Sequence, residues 1–272
     1  MNNNRIKRSV VLSFLILLGL LLTGCGATDV GEPITADNLS GLRVGVMVGY
    51  SPDYILTKDS RGMEIYRYDT YSDMYLALSF NRIDAIATER EDAYFICREE
   101  ADFEIGPAIT EPSEYGYMFY SERNELREEF NRFIKEFRKT EEYADMLNRV
   151  EATLNAPYKA KKVENIVTTD RVIKVAAYAD WEPVSYINTS TDEWEGCDVE
   201  LITHFANSIG AELVLEDKTW NQMLLEVANG MVDLILSPDS LLMAKDLEMS
   251  GNIVMSEPVH IKDIVLVIDK EE

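Results

Sequence analysis

The stretches Asp84-Ala-Ile-Ala-Thr88 and Asp233-Leu-Ile-Leu-Ser237 decide the fold that this sequence predicts. Each is a short apolar run that begins at an aspartate and ends at a hydroxyl residue. Continuous apolar runs of this length are typical of strands that are buried on both faces of a parallel sheet. Because the same pattern occurs in both halves of the chain, the sequence predicts two units of similar build.

Each of these stretches completes a β-α-β pattern. In the first half, an apolar strand over 42–48 precedes a helical pattern over 72–80. In the second half, the corresponding segments are Val172–Ala177 and Trp220–Ala228. Short strands that alternate with helices predict an α/β fold of two lobes, each a mostly parallel sheet flanked by helices.

Two further helices and a linker are predicted between these units. Apolar residues recur at helical spacing, and a break near Lys139 separates two apolar stripes. The first stripe contains Leu126, Phe130, Phe133, Ile134 and Phe137. Aromatic residues at this spacing indicate packing rather than a cofactor site. The following segment, 156–170, has mixed composition and is predicted to be a linker.

The amino terminus has the layout of a secretory signal. Arg5, Lys7 and Arg8 precede an apolar run over 10–22, which is followed by Leu22-Thr-Gly-Cys25. These four residues resemble a bacterial lipobox, which implies a signal peptide over 1–24, lipidation of Cys25 and a tether over 25–38. The alternative is an uncleaved membrane anchor, but the apolar run is shorter than the ~20 residues that span a bilayer.

Composition argues against several classes of function. The net charge of −23 disfavours binding to nucleic acid and to anionic lipid. Cys97 and Cys197 are predicted to be buried free thiols, although a disulfide is permitted outside the cytoplasm. His204 and His260 lie far apart in the sequence, so we expect no metal site, no cofactor and no catalytic triad. Asp198, at a predicted helix start, is expected to cap that helix.

Several motifs in each half follow a consistent order. The second half contains Val172–Ala177, Trp181-Glu-Pro-Val-Ser-Tyr186, Gly196-Cys-Asp-Val-Glu-Leu201 and Ser256-Glu-Pro258. The first half contains Leu39-Ser-Gly-Leu-Arg-Val-Gly-Val46, Arg82-Ile-Asp-Ala-Ile-Ala-Thr-Glu89 and Leu126-Arg-Glu-Glu-Phe130. With these motifs, residues 39–155 and 171–269 resemble the family 3 extracellular solute-binding proteins, the polar amino-acid receptors of ABC importers. The resemblance implies a two-lobed type II periplasmic-binding-protein fold.

The order of the two halves departs from that family. The family begins with lobe I, whereas here lobe II (39–123) and the closing helices (124–155) come first. The linker (156–170) and lobe I with its hinge strand (171–272) follow. This order predicts a circularly permuted receptor; the alternative is a remnant of a tandem array.

The resemblance also implies a ligand site between the lobes. Trp181 occupies the position of an aromatic platform, with Val184 and Tyr186 nearby, and Lys245 occupies the position of the arginine that grips a carboxylate. Glu89 occupies the position of the acid that binds an ammonium. The other implied ligand-binding residues are Gly49, Tyr50, Ser51, Ser237, Asp239 and Ser240. Each of the three principal residues has a plainer interpretation: a core cover for Trp181, a solvated helix residue for Lys245 and a helix N-terminal acid for Glu89.

The function expected from this resemblance is non-catalytic solute binding outside the cytoplasm. The expected partners are a small amino-acid-like ligand and an ABC permease or a membrane sensor, and the lipid anchor would hold the monomer at the membrane. One alternative is a sensing or regulatory module, because lysine at position 245 lacks the planar fork of arginine. The other is an enzyme that would use Asp239 and Glu89 as a carboxylate pair.

Overall fold

The computed structural model describes residues 33–242 and 251–270. The predicted signal peptide, the lipidation site Cys25 and the predicted carboxylate-binding Lys245 lie outside the described residues. Within the described ranges, no helix is both long enough and apolar enough to cross a membrane.

The secondary structure follows the alternation that the sequence predicts. The strands of the first half are β1 (Arg43–Met47), β2 (Glu64–Tyr68), β3 (Ala85–Glu89), β4 (Phe103–Ala108) and β5 (Ser113–Tyr120). Its helices are α1 (Ser51–Thr57), α2 (Tyr71–Ser79), α3 (Arg90–Glu99), α4 (Asn124–Phe137) and α5 (Glu141–Glu151), with 3₁₀ turns at Ser121–Arg123 and Ala152–Leu154. The strands of the second half are β6 (Val172–Ala177), β7 (Asp180–Trp181), β8 (Ser185–Asn188), β9 (Glu193–Glu195), β10 (Glu212–Asp217), β11 (Leu234–Ser240), β12 (Ile253–Met255), β13 (His260–Lys262) and β14 (Ile264–Asp269). Its helices are α6 (Cys197–Ile209) and α7 (Trp220–Ala228).

The two large sheets have the same internal order. One sheet runs β2-β1-β3-β14-β4, and the other runs β10-β6-β11-β5-β12 with β13 also paired to β5. In each sheet the first three strands are parallel, and one antiparallel strand (β14 or β5) follows them. We call the unit containing the first sheet and α1–α3 lobe II. The unit containing the second sheet, a small antiparallel sheet β7-β8-β9 and α4–α7 is lobe I. The predicted α/β fold with mostly parallel sheets flanked by helices is confirmed.

The antiparallel strand of each sheet is supplied by the other half of the chain. Strand β5 follows lobe II in the sequence but pairs with β11 and β12 of lobe I. Strand β14 follows lobe I in the sequence but pairs with β3 and β4 of lobe II. The domain boundaries at 39–123 and 171–272 stay a prediction, and in the structure each of these ranges contributes one strand to the other lobe's sheet. Both strands are mostly buried, and an apolar strand sequence does not reveal which of two sheets the strand joins.

The repeated aspartates have the same structural role in both lobes. The Asp84 carboxylate accepts a hydrogen bond from the backbone N–H of Arg43 at 2.7 Å. The Asp233 carboxylate accepts one from the backbone N–H of Lys174 at 2.8 Å. Asp84 thus ties the loop before β3 to β1, and Asp233 ties the loop before β11 to β6. This shared structural role explains why the motif occurs twice.

The closing helices cover the lobe I sheet. Phe130 of α4 is fully buried against Tyr117, Phe119 and Phe205. The break predicted near Lys139 is present, and the Thr140 side chain caps α5 by accepting a hydrogen bond from the Tyr143 N–H. The two predicted apolar stripes are therefore packing surfaces.

Candidate functional site

Loops at the carboxyl ends of strands from both lobes meet in one crevice. The region after β1 and the end of β3 belong to lobe II, and strands β7, β11 and β13 with the start of α7 belong to lobe I. The crevice is lined by Tyr50, Ser51, Glu89, Trp181, Trp220, Ser237, Pro238, Asp239 and Lys262. It encloses about 10 Å³, which is roughly the room that one water molecule needs. The side chains of the protein thus fill most of the space between the lobes.

A hydroxyl group joins the lobes at the centre of this crevice. The buried Ser51 Oγ of lobe II donates a hydrogen bond to Asp239 Oδ1 of lobe I. The backbone N–H of Ser240 donates to Ser51 Oγ at 3.1 Å and to Asp239 Oδ1 at 2.8 Å. Because Ser240 is itself fully buried, these three groups form one closed polar cluster across the crevice.

Aromatic side chains make a second set of contacts across the crevice. The Trp181 Nε1–H of lobe I donates to Asp92 Oδ1 of lobe II at 2.9 Å. The Tyr50 ring lies 5.6 Å from the Trp220 ring, centroid to centroid, with the planes tilted by 31°. Both contacts involve one residue of each lobe, so they exist only while the lobes are together.

An ion pair outside the crevice adds a third connection. Arg98 Nη1 of α3 donates to Glu182 Oε1 of lobe I at 2.9 Å and to the Ala156 carbonyl of the linker at 3.2 Å. The same Glu182 oxygen accepts from the Tyr158 N–H at 2.8 Å. The Arg98 guanidinium therefore contacts lobe I and the linker from lobe II.

Carboxylates outnumber cations in and beside the crevice. Glu89, Asp92 and Asp239 are all buried, and Glu91 lies in the first turn of α3. The buried Lys262 of β13 faces this group, and its Nζ lies 3.8 Å from Glu91 Oε2. The site therefore favours groups that are positively charged or that donate hydrogen bonds.

Burial changes the protonation of these carboxyl groups. Burial, together with the neighbouring Asp92 charge, raises the pKa of Glu89 to about 8, against the opposing effect of Lys262. Burial raises the pKa of Asp239 to about 6, although the hydrogen bonds from Ser51 and Ser240 oppose the increase. Burial would lower the pKa of Lys262, but the surrounding carboxylates outweigh it and raise that pKa, so the side chain stays an ammonium.

The structure brings together most of the residues that the sequence selects. Of the predicted set, the crevice lining includes Tyr50, Ser51, Glu89, Trp181, Ser237 and Asp239. Ser240 lies directly behind it through its bond to Ser51, and a side chain at Gly49 would contact Trp220. Their roles as ligand-binding residues remain predictions.

Two predicted residues lie apart from this lining. The Val184 side chain is buried, and its backbone bonds to Trp181 and Asp198. The Tyr186 hydroxyl donates to Glu195 Oε2 at 3.0 Å, and its ring packs against the lobe I core. In the pairing of β7 with β8, Trp181 lies opposite Ser185 and Tyr186 lies opposite Asp180, so the alternation of strand side chains places Trp181 and Tyr186 on different faces.

The site residues predicted from the sequence did not include Trp220, Pro238, Asp92 or Lys262. No sequence pattern pointed to Lys262, because β13 reads His260-Ile261-Lys262 and its apolar and charged residues lie on the faces opposite to those that alternation predicts. Ile261 is 48% exposed, whereas Lys262 is 5% exposed. Trp220 was assigned only to a helix start, and its contact with Tyr50 depends on the closed arrangement of the lobes.

The predicted role of Asp198 is corrected. Gly196 caps α6, and Asp198 instead accepts a bond from His260 Nε2, with Oδ1 at 2.7 Å. Burial opposes ionisation of Asp198, but the charge of His260 and this hydrogen bond lower its pKa overall. Asp198 thus joins α6 to the strand that carries Lys262.

A larger cavity of about 200 Å³ lies elsewhere, within lobe I and the linker. Its walls include Lys162, Trp194, Glu200 and Leu213, and lobe II contributes none of its described lining.

Among the described residues, no group of three or more His, Cys, Asp or Glu side chains could hold a metal ion. Cys97 and Cys197 are free thiols.

Comparisons with known proteins bear on the second half of the chain most directly. Residues 173–271 match the family model of bacterial extracellular solute-binding proteins, family 3. This match, which spans little more than a third of the chain, confirms the predicted resemblance for these residues. No curated protein matches the chain.

Several solved structures are similar to this chain over most of its length. The ligand binding component of an ABC-type import system from Staphylococcus aureus is 10% identical over 85% of this chain and 67% of that chain, with a TM-score of 0.45. The probable amino-acid ABC transporter extracellular-binding protein ytmK from Bacillus subtilis is 10% identical over 89% and 86%, with a TM-score of 0.42. The periplasmic VFT2 domain of BvgS from Bordetella pertussis is 12% identical over 87% and 83%, with a TM-score of 0.43.

Proposed function

We propose that this chain is an extracytoplasmic, lipid-anchored protein that binds an amino acid or a related small polar solute for an ABC importer. The observation that carries the proposal is the shared crevice, to which lobe II contributes Ser51 and Glu89 and lobe I contributes Trp181 and Asp239. Buried carboxylates and aromatic faces are suited to a solute with an ammonium group. The family match of residues 173–271 supports the same assignment.

The mechanism that we propose is closure of the two lobes around the solute. Contacts made by both lobes are available to a solute only when the crevice is closed, so a bound solute shifts the population towards that form. The polypeptide crosses between the lobes at 109–112 and at Asp263, and these two segments are the proposed hinge. A permease would then distinguish the closed form from the open one.

A second candidate is a ligand-sensing or regulatory module. The observation that favours it is that the protein's own side chains span the crevice, through the Ser51–Asp239 and Trp181–Asp92 contacts. If the protein's own side chains hold the lobes closed, a ligand that displaces those side chains changes the arrangement of the lobes. That change can be sensed by a partner without delivery of a solute for transport. A membrane sensor would then take the place of the permease.

A thermal-shift screen tests the proposed function. Amino acids, cationic amines, short peptides and dicarboxylates are added to the wild type, to Trp181→Ala and to Lys162→Ala, whose ion pair with Glu193 is exposed. A solute of the crevice raises the melting temperature of the wild type and of Lys162→Ala, and raises that of Trp181→Ala much less. If no compound stabilises the wild type, or if Trp181→Ala responds fully, solute binding in this crevice is contradicted.

We further propose that the chain is circularly permuted relative to its family. The matching order of the two sheets and the exchanged strands β5 and β14 support this proposal, because they fit one receptor read from a different starting point. A re-ordered chain would carry 171–269 first, a Gly/Ser linker, and then 39–155. It is expected to melt in one transition near that of the natural order, and failure to fold would favour the tandem-array alternative.

A further inference from the structure

Lys262 is a cation placed where strands normally bury apolar groups. Its side chain is only 4% exposed, whereas lysine side chains are almost never buried unless paired. Lysine can usually extend its stem to bring the ammonium to water, but Lys262 directs it into the crevice lining. The strand therefore presents a charged group to lobe II.

The surroundings of this ammonium come from both lobes. Glu91 Oε2 lies 3.8 Å from Nζ, and the Tyr115 ring centroid lies 5.7 Å from it. Glu89, Asp92 and Asp198 are close enough to act on its charge. Of these four carboxylates, all except that of Asp198 belong to lobe II. The Lys262 ammonium of lobe I is therefore attracted to lobe II across the crevice.

The fit between Lys262 and the carboxylates is loose. At 3.8 Å the ion pair with Glu91 is longer than a hydrogen bond, and Glu91 Oε2 has no hydrogen-bond partner among the described residues. The residual 10 Å³ of the crevice is lined by Lys262 and Glu89. The ammonium is thus held by the charge of the cluster rather than by a tight bidentate contact.

We propose that Lys262 is a tethered occupant of a site for primary ammonium groups, formed by Glu89, Glu91 and Asp92. A free primary amine enters this site only by displacing the Lys262 ammonium. The inference rests on the proposed solute-binding crevice and specifies its ligand class, because a carboxylate cluster beside an aromatic ring recognises N–H donors that carry charge. Without a solute, the same ammonium helps to hold the lobes together.

Chemical rescue of Lys262→Ala by n-butylammonium tests the proposal. Removing the buried cation leaves the carboxylates without their counter-charge, so the unfolding equilibrium constant rises on the order of 10²- to 10³-fold. Millimolar n-butylammonium is expected to restore the melting temperature of Lys262→Ala in a saturable manner. Butanol, which has similar size but no charge, is expected to leave it unchanged, and Lys162→Ala is expected to show no amine effect.

Two results would overturn the proposal: Lys262→Ala shows no specific response to n-butylammonium, or the wild type responds as strongly as the variant. Should Lys262→Ala not fold, reductive methylation of the wild type followed by peptide mass spectrometry replaces it. Lys262 is expected to stay unmodified while the exposed Lys162 reacts, and equal modification would contradict the proposal. Neither experiment uses a natural solute, so their failure is distinguishable from a failure of the thermal-shift screen.

Discussion

Ser51 is a small residue that makes one of the hydrogen-bonded contacts between the lobes. It is 3% exposed, and its hydroxyl bonds to both the Asp239 carboxylate and the Ser240 N–H of the opposite lobe. A buried acceptor or donor that loses its partner costs about 1–3 kcal/mol. The Ser51→Ala variant is therefore expected to lose stability in that range, measured as the free energy of unfolding in urea.

Ser72→Ala is the matched control, because Ser72 is exposed on α2. The control is expected to change stability by less than about 0.5 kcal/mol. If Ser51→Ala is no less stable than this control, the Ser51 hydroxyl does not connect the lobes in solution.

Ionisation of Glu89 makes the stability of the protein depend on pH, and stability falls as the pH rises. Its pKa rises from 4.5 to about 8 on folding, because of burial and of the Asp92 charge. The folded state then binds a proton more tightly than the unfolded state, so this contribution to stability is complete below about pH 4.5 and is lost as the pH rises through about 8. The Glu89→Gln variant is expected to gain stability relative to the wild type over this window, by a few kcal/mol at the alkaline end.

Urea unfolding at a series of pH values measures this difference. Glu114→Gln, at an exposed position, is the control and is expected to follow the wild type. Parallel stability curves for the wild type and Glu89→Gln between pH 5 and 8 would show that Glu89 ionises as freely in the crevice as in water.

At the scale of elements, α4 packs its apolar face against the core of lobe I. Phe130 is fully buried among four aromatic rings, whereas Leu147 on α5 is 40% exposed. Phe130→Ala is expected to cost about 3–5 kcal/mol, because a large apolar side chain leaves a cavity. Leu147→Ala is expected to cost far less, and similar losses in chemical denaturation would contradict the packing described for α4.

The helices and central strands were predictable because each has a strong local pattern. The strand Val172–Ala177 and the helix Trp220–Ala228 lie where their patterns place them. Lys262 was not predictable in the same way, since the sequence alone gives no reason to expect a charged residue to face a crevice. Its orientation depends on the pairing of β13 with β5, a contact between the two halves of the chain.

At the scale of the whole molecule, the two lobes are joined by exchange of strands. Strand β5 completes the lobe I sheet and β14 completes the lobe II sheet, so each lobe contains backbone from both halves. Sequence similarity indicated the two lobes and the loops that face each other. It could not assign these two strands, because strand pairing between distant segments is set by the sheet edges available in the folded protein.

The most direct test of the account is a disulfide trap across the crevice, in the double variant Ser51→Cys with Asp239→Cys. The two native side chains are hydrogen bonded, and the lobes meet at this point. Mild oxidation followed by non-reducing peptide mapping is expected to show the 51–239 disulfide, while a Ser72→Cys with Asp239→Cys control stays reduced. If the 51–239 pair stays reduced to the same extent as the control, lobes I and II do not share the crevice described here.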